Sequence, residues 1–127
     1  MKKLLTLVMV AVVAVSLAAG CVGEVKTYTD SGRTINIGLN QEFVIALGSN
    51  PTTGYSWQEN HDESMLKLEE SWYEVGGEAK EGVVGAGGVE YFRFKALKTG
   101  ETDITLVYKG PWEEEVLDQK VFIVDIK

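Results

Sequence analysis

Short apolar runs and period-two alternation of apolar and polar residues follow one another from Val25 to the C-terminus, with no helical stripe of any length. Residues 42–47 form a near-continuous apolar run that suits a central strand, whereas Ile104, Leu106 and Tyr108 share one face of a later strand. Roughly seven or eight such segments are separated by turns at intervals of about 8 to 12 residues. The pattern predicts an all-β sandwich.

The middle of the chain is less regular. Trp57 is predicted to point inward, and the polar break that follows it suggests that His61 is a solvated loop residue. Asp62 is expected to cap a single helical turn. Residues 65–69 and 72–75 indicate two separate strands, and residues 76–88, with six of the 14 glycines, indicate a flexible connection.

The N-terminus has the organisation of an export signal of the lipoprotein type, covering residues 1–20. A basic start precedes an apolar run and a small-residue exit, and the only cysteine, Cys21, follows directly. Lipidation of Cys21 is favoured over plain secretion with cleavage near Ala19. Residues 21–26 then form a short tether and residues 27–127 a single domain, which lies outside the cytoplasm, lipid-anchored at the membrane surface or secreted.

The charge of the exported part disfavours two kinds of partner, nucleic acids and anionic membrane surfaces. Residues 1–20 carry two lysines and no acidic residue, so the formal charge of −7 becomes −9 without them. Nucleic acid binding requires Lys and Arg against phosphates, and this balance disfavours it. The same negative charge disfavours tight contact with anionic lipid headgroups. Contact with a membrane is therefore expected only through a lipid on Cys21.

Both prolines of the chain fall in loops between predicted strands. In the first loop, residues 50–55 (NPTTGY), Pro51 fixes its own φ and Gly54 permits a positive φ, so the turn is stiff before it meets a partner. A tight turn whose threonines cap backbone groups explains the motif equally well. In the loop at residues 108–113, Pro111 precedes Trp112, which has no obvious core to enter.

A third loop, residues 83–91, contains the stretch GAGG at 85–88, whose glycines permit close backbone approach or a β-bulge. Hairpin loops of one sandwich often cluster at the same end. The three loops are therefore expected to form one composite surface.

These motifs, in this order, resemble the chagasin family of inhibitors of papain-like cysteine proteases, whose pattern is NPTTG plus an aromatic, Gly-x-Gly-Gly and Arg-Pro-Trp. The resemblance implies an immunoglobulin-like sandwich that blocks the protease cleft reversibly and without a covalent bond, with no cofactor and no metal. The protease-binding residues that it implies are Asn50, Pro51, Thr52, Thr53, Gly54, Tyr55, Gly85, Ala86, Gly87, Gly88, Gly110, Pro111 and Trp112. One position departs from the pattern, because Gly110 replaces the arginine, with Lys109 as a non-equivalent substitute.

Two rival functions have weaker support. An enzyme would depend on a single histidine, His61, and the same scarcity disfavours zinc. The acidic run at residues 113–115 with Asp118 has no recognised calcium-loop spacing. The alternative to an inhibitor is an extracytoplasmic adhesion or carbohydrate-binding module, in which Tyr55, Trp72 or Trp112 would stack on sugar rings. For Trp72, packing on the sheet is the simpler expectation.

Overall fold

The computed structural model describes residues 24–76, 87–112 and 114–127. Residues 1–23, which include the predicted export signal and Cys21, lie outside this part of the chain. The described residues form eight strands, namely β1 (Lys26–Tyr28), β2 (Ile35–Ile37), β3 (Glu42–Ser49), β4 (Ser56–His61), β5 (Leu66–Val75), β6 (Gly88–Ala96), β7 (Gly100–Lys109) and β8 (Asp118–Ile126).

The strands form two four-stranded sheets with the orders β1-β3-β6-β5 and β2-β8-β7-β4. The short strand β1 pairs with β3 and β2 pairs with β8, both in parallel. All other pairs are antiparallel. This arrangement confirms the predicted sandwich, and it places the apolar run of β3 between two neighbours, as expected for a central strand.

One core lies between the sheets, because period-two alternation points every second side chain of each strand inward. Phe43 stacks on Phe94 with ring centroids 5.6 Å apart. Trp57 is buried, as predicted. The buried cluster comprises Ile35, Phe43, Ile45, Leu47, Trp57, Leu66, Phe92, Phe94, Ala96, Ile104, Leu106, Phe122, Val124 and Ile126.

One local prediction in the middle of the chain is corrected, and another is confirmed. Residues 66–69 and 72–75 belong to one strand, β5, because a register shift between Leu68 and Glu70 absorbs one extra residue, whereas Met65 lies in the preceding turn. Asp62 caps a single helical turn, as predicted: its backbone oxygen accepts from the Leu66 N–H at 3.0 Å, and its Oδ1 accepts from the Ser64 N–H at 2.9 Å and the Ser64 hydroxyl at 2.6 Å. The bonds from Ser64 lower the pKa of the Asp62 carboxyl.

The prediction that His61 is a solvated loop residue is wrong. His61 is the last residue of β4, and its side chain is 9% exposed. Its Nδ1 lies 2.6 Å from Glu59 Oε2, and its ring contacts Phe94 edge-on at 5.2 Å. Because β4 is an edge strand, this inward-facing polar pair closes the side of the sandwich and disfavours pairing with another strand.

No helix long and apolar enough to cross a membrane occurs among residues 24–76, 87–112 and 114–127.

Candidate functional site

Three loops meet at one end of the sandwich. Ser49, at the end of β3, and Val75, at the end of β5, both pair with Gly88 at the start of β6. In the other sheet, Ser56 at the start of β4 pairs with Lys109 at the end of β7. The β3–β4, β5–β6 and β7–β8 connections therefore all lie at the same end of the sandwich, as the loop order predicted.

The β3–β4 connection is a single turn of 3-10 helix, Pro51–Thr53. The Thr53 N–H donates to Asn50 O at 3.1 Å, and the Gly54 N–H donates to Pro51 O at 3.0 Å. Gly54 closes the turn with φ of 85°, in the left-handed region that glycine favours. Pro51, Thr52 and Thr53 are exposed, so the turn projects outward from the sandwich.

Both threonine hydroxyls bond within the turn. Thr53 Oγ1 donates to Asn50 O at 2.7 Å, and Thr52 Oγ1 donates to Asn50 Oδ1 at 2.5 Å. The motif is thus a tight turn whose threonines satisfy Asn50, as the structural interpretation of the sequence expected. The same bonds stiffen the exposed apex, so this interpretation does not compete with a role in binding.

Beneath the turn, three hydrogen bonds join the two sheets. The Asn50 N–H donates to Tyr108 Oη at 3.1 Å, the Trp57 indole N–H donates to Gly48 O at 2.8 Å, and the Trp57 backbone N–H donates to Glu90 Oε2 at 3.0 Å. We call these bonds the inter-sheet brace. It connects the ends of β3 and β6 to those of β4 and β7, and so fixes the base of the projecting turn relative to the neighbouring loops.

Tyr108 is the member of the brace that can be tested with the smallest change. Replacing Tyr108 with phenylalanine keeps the ring, which lies 5.0 Å from Trp57, but leaves the Asn50 N–H without its acceptor. We expect the free energy of unfolding to fall by about 1 kcal/mol and inhibition of a target protease to weaken several-fold. Urea unfolding and inhibition assays measure the two effects.

A matched control for this change is Tyr28→Phe, since Tyr28 packs on Phe43, away from the loops. This control is expected to inhibit as well as the unaltered protein. Equal inhibition by the Tyr108 variant would show that the brace does not position the turn.

The β7–β8 loop places Trp112 against the turn. A Cβ atom on Gly54 would lie 2.9 Å from Cη2 of the Trp112 ring, so the glycine allows the ring to lie directly on the backbone. Trp112 is nevertheless 71% exposed. Gly110 is buried, and Lys109 belongs to β7, on the opposite face from Tyr108. Lys109 therefore does not occupy the loop position at which the family pattern has arginine.

The β5–β6 loop also reaches the turn. A Cβ atom on Gly87 would lie 2.9 Å from Ser49 O and 3.6 Å from Asn50 Cβ, and one on Gly88 would overlap Glu74 O. Both positions therefore require glycine for close backbone approach. Gly85 and Ala86, predicted to bind the protease, lie outside the described residues.

The remaining large aromatic pair lies elsewhere. Trp72 and Tyr91 stack on each other across β5 and β6, with ring centroids 4.9 Å apart and planes 6° from parallel. They occupy the outer face of their sheet, because the neighbouring Phe92 points inward. A hydrogen bond to Glu74 raises the pKa of the Tyr91 hydroxyl. Packing on the sheet face, as expected, accounts for this pair.

Three residues at this end were not predicted from the sequence. Glu90 supports the turn from β6, and its position in phase with Phe92 was a signal for an acid that points inward. Val116 and Leu117 are exposed in the β7–β8 loop, where they follow the acidic run.

No three His, Cys, Asp or Glu side chains among the described residues lie close enough to hold a metal ion.

Comparison with known proteins agrees with the loop motifs. The sequence model of the family described as chagasin family peptidase inhibitor I42 matches residues 36–126. The chain is 30% identical to chagasin from Trypanosoma cruzi over 107 residues, which cover 80% of this chain and 94% of chagasin. It is 33% identical to amoebiasin-1 from Entamoeba histolytica over 93 residues, covering 73% and 88% of the two chains.

A solved structure is similar as well. The crystal structure of the cysteine protease inhibitor EhICP2 from Entamoeba histolytica superimposes with a TM-score of 0.70 at 27% identity, covering 81% of this chain and 96% of that one. These relatives are inhibitors and not enzymes, in agreement with the prediction from the scarcity of catalytic residues. The chain belongs to the chagasin family of peptidase inhibitors.

Proposed function

We propose that this protein is a reversible, non-covalent inhibitor of papain-like cysteine proteases, and that the three loops fill the active-site cleft. The observation that carries the proposal is the contact between the loops: Trp112 lies against Gly54, and Gly87 lies against the base of the same turn. One continuous projecting surface results, with Thr52 and Thr53 exposed at its apex.

The turn's geometry supports blocking without cleavage. Hydrolysis requires a carbonyl held about 3 to 3.5 Å from the nucleophile in the direction of attack. The carbonyls of Asn50 and Pro51 instead accept hydrogen bonds within the turn. A backbone closed in this way does not adopt the extended form of a substrate. The turn therefore occupies the cleft over the catalytic cysteine and histidine of the protease without being cleaved.

Rigidity supports tight binding. The turn is fixed internally by its threonine hydroxyls and from below by the inter-sheet brace, so few torsions lose freedom when it docks. Trp112 supplies a large amphipathic side chain of the kind that carries interface energy.

The alternative, a carbohydrate-binding module, has less support. A sugar site would favour aromatic rings that project from a strand face with a free surface. The rings on the strand face, Trp72 and Tyr91, instead cover each other, whereas Trp112 shares the loop surface with Thr52 and Thr53. The family relationship also favours the inhibitor.

Export and anchoring are part of the proposal. The basic, apolar and small-residue segments of residues 1–20 support an export signal, and the position of Cys21 supports a lipid anchor. We expect Cys21→Ser to move the protein from the membrane fraction to the soluble extracytoplasmic fraction, as immunoblotting would show. Retention of that variant in the membrane fraction would contradict lipidation of Cys21.

Inhibition assays test the proposed activity. A fragment from Val22 to the C-terminus would be titrated against several papain-like proteases whose active sites have been counted with a covalent reagent. We expect tight inhibition that reverses on dilution. Full activity of every enzyme at micromolar inhibitor would contradict the proposal.

A further inference from the structure

The β7–β8 loop exposes more apolar surface than Trp112 alone. The described residues expose seven large apolar side chains, and three of them lie between residues 110 and 117: Trp112 at 71%, Val116 at 41% and Leu117 at 56%. A single exposed apolar side chain is ordinary, but several in one short loop indicate a contact surface. We call Trp112, Val116 and Leu117 the apolar strip.

Backbone contacts hold both ends of this strip in place. The Leu117 N–H donates to Tyr108 O at 2.9 Å, and Tyr108 pairs with Asp118 at the start of β8. At the other end, Trp112 lies on Gly54. The residues at the two ends of the strip are therefore held in place before a partner docks, which lowers the conformational entropy lost on binding.

Acidic residues border the strip. Glu114 and Glu115 lie between Trp112 and Val116 in the chain, and Asp118 follows Leu117; all three acids are exposed. The protein as a whole carries a formal charge of −7, so its long-range field has the same sign as this border. Charges at the rim of an interface act chiefly on the association rate and on the choice of partner.

We propose that Val116 and Leu117, the part of the apolar strip that follows Trp112, make a second contact with the protease beside the cleft, and that they select proteases whose surface there is apolar and bordered by Lys and Arg. The inference rests on the proposed function, because Val116 and Leu117 lie in the same loop as Trp112, whose ring lies against Gly54 of the turn. Val116 and Leu117 are then specificity-determining residues.

Leu117→Ser tests the apolar part of the inference, with Leu39→Ser as the matched control. Leu39 is 42% exposed at the opposite end of the sandwich, where its N–H donates to Lys127 O. Dissociation constants would be measured with papain and three other papain-like proteases that differ in surface charge beside the cleft. We expect Leu117→Ser to weaken binding to the tightest-bound protease about tenfold and Leu39→Ser to leave it unchanged. Equal binding by both variants would overturn the inference.

Glu114→Lys combined with Glu115→Lys tests the charged border with the same proteases. We expect this variant to associate about tenfold more slowly with the most basic protease at low salt and to reverse the order of preference within the set. Added salt should remove most of the difference in rate. An unchanged order of preference would overturn the proposed selection.

The results that would contradict the further contact differ from those that would contradict inhibition itself. If the unaltered protein inhibits the proteases and both sets of variants behave like it, the inference fails while the proposed function stands. If the unaltered protein inhibits none of them, the proposed function fails and the inference with it.

Discussion

Thr53→Arg is expected to abolish inhibition of every papain-like protease that the unaltered protein inhibits. Thr53 lies at the exposed apex of the 3-10 turn, and an arginine there would extend several ångströms into the cleft floor that the turn is proposed to cover. Affinity should fall by about 1,000-fold or more, or ~4 kcal/mol. Inhibition constants and a thermal unfolding curve would be measured for the same preparation.

Two further changes at Thr53 separate steric exclusion from loss of the turn. Thr53→Ser keeps the hydroxyl that donates to Asn50 O, whereas Thr53→Val keeps the shape and loses that bond. We expect near-normal inhibition from the serine variant and an intermediate loss from valine. If the arginine variant inhibits as well as the unaltered protein, the turn does not enter the cleft.

Trp112→Ala is expected to weaken inhibition by about 30-fold or more, which corresponds to ~2 kcal/mol. The ring is held against Gly54 while most of its surface remains exposed, so its removal deletes contact area for a partner. The same exposure implies a small change in the free energy of unfolding. Inhibition constants and urea unfolding would show a large binding effect with little loss of stability.

Trp72→Ala provides the matched control for Trp112. Trp72 is half-buried on the outer sheet face against Tyr91, so its removal should lower stability and leave inhibition of the protease unchanged. The reverse result, with inhibition lost on altering Trp72 and kept on altering Trp112, would favour the sheet face as the binding site.

The sequence predicted the strands and the clustering of the loops for physical reasons that are local. Alternation shows which residues of β6 and β7 point inward, and successive antiparallel strands bring alternate loops to the same end of a sandwich. Pro51 and Gly54 likewise specify a stiff turn through their own backbone preferences.

The wrong predictions concern residues whose environment is determined by tertiary contacts rather than by their neighbours in the sequence. The polar neighbours of His61 suggested solvent, yet its spacing from Trp57 puts it on the inward side of β4, where Glu59 satisfies its ring. In β5, the register shift between Leu68 and Glu70 restores the inward phase after consecutive acids, and the sequence pattern alone shows two separate segments.

The inter-sheet brace and the apolar strip could not be predicted from local patterns. The bond from Asn50 to Tyr108 joins residues 58 positions apart, and the close approach of Trp112 to Gly54 depends on how two loops meet. Such contacts follow from how the two sheets pack against each other. Alternation of apolar and polar residues shows only whether a side chain points inward or outward, and not which residue it meets.

Protection of the catalytic cysteine is the measurement that tests occlusion most directly. Papain or another inhibited papain-like protease would be treated with iodoacetamide, with and without a saturating amount of the Val22–Lys127 fragment, and the alkylated cysteine measured by mass spectrometry. The account predicts that alkylation slows in proportion to the bound fraction, that activity returns on dilution, and that the inhibitor remains uncleaved. Undiminished alkylation of a fully inhibited protease would contradict it, because the loops would then bind outside the cleft.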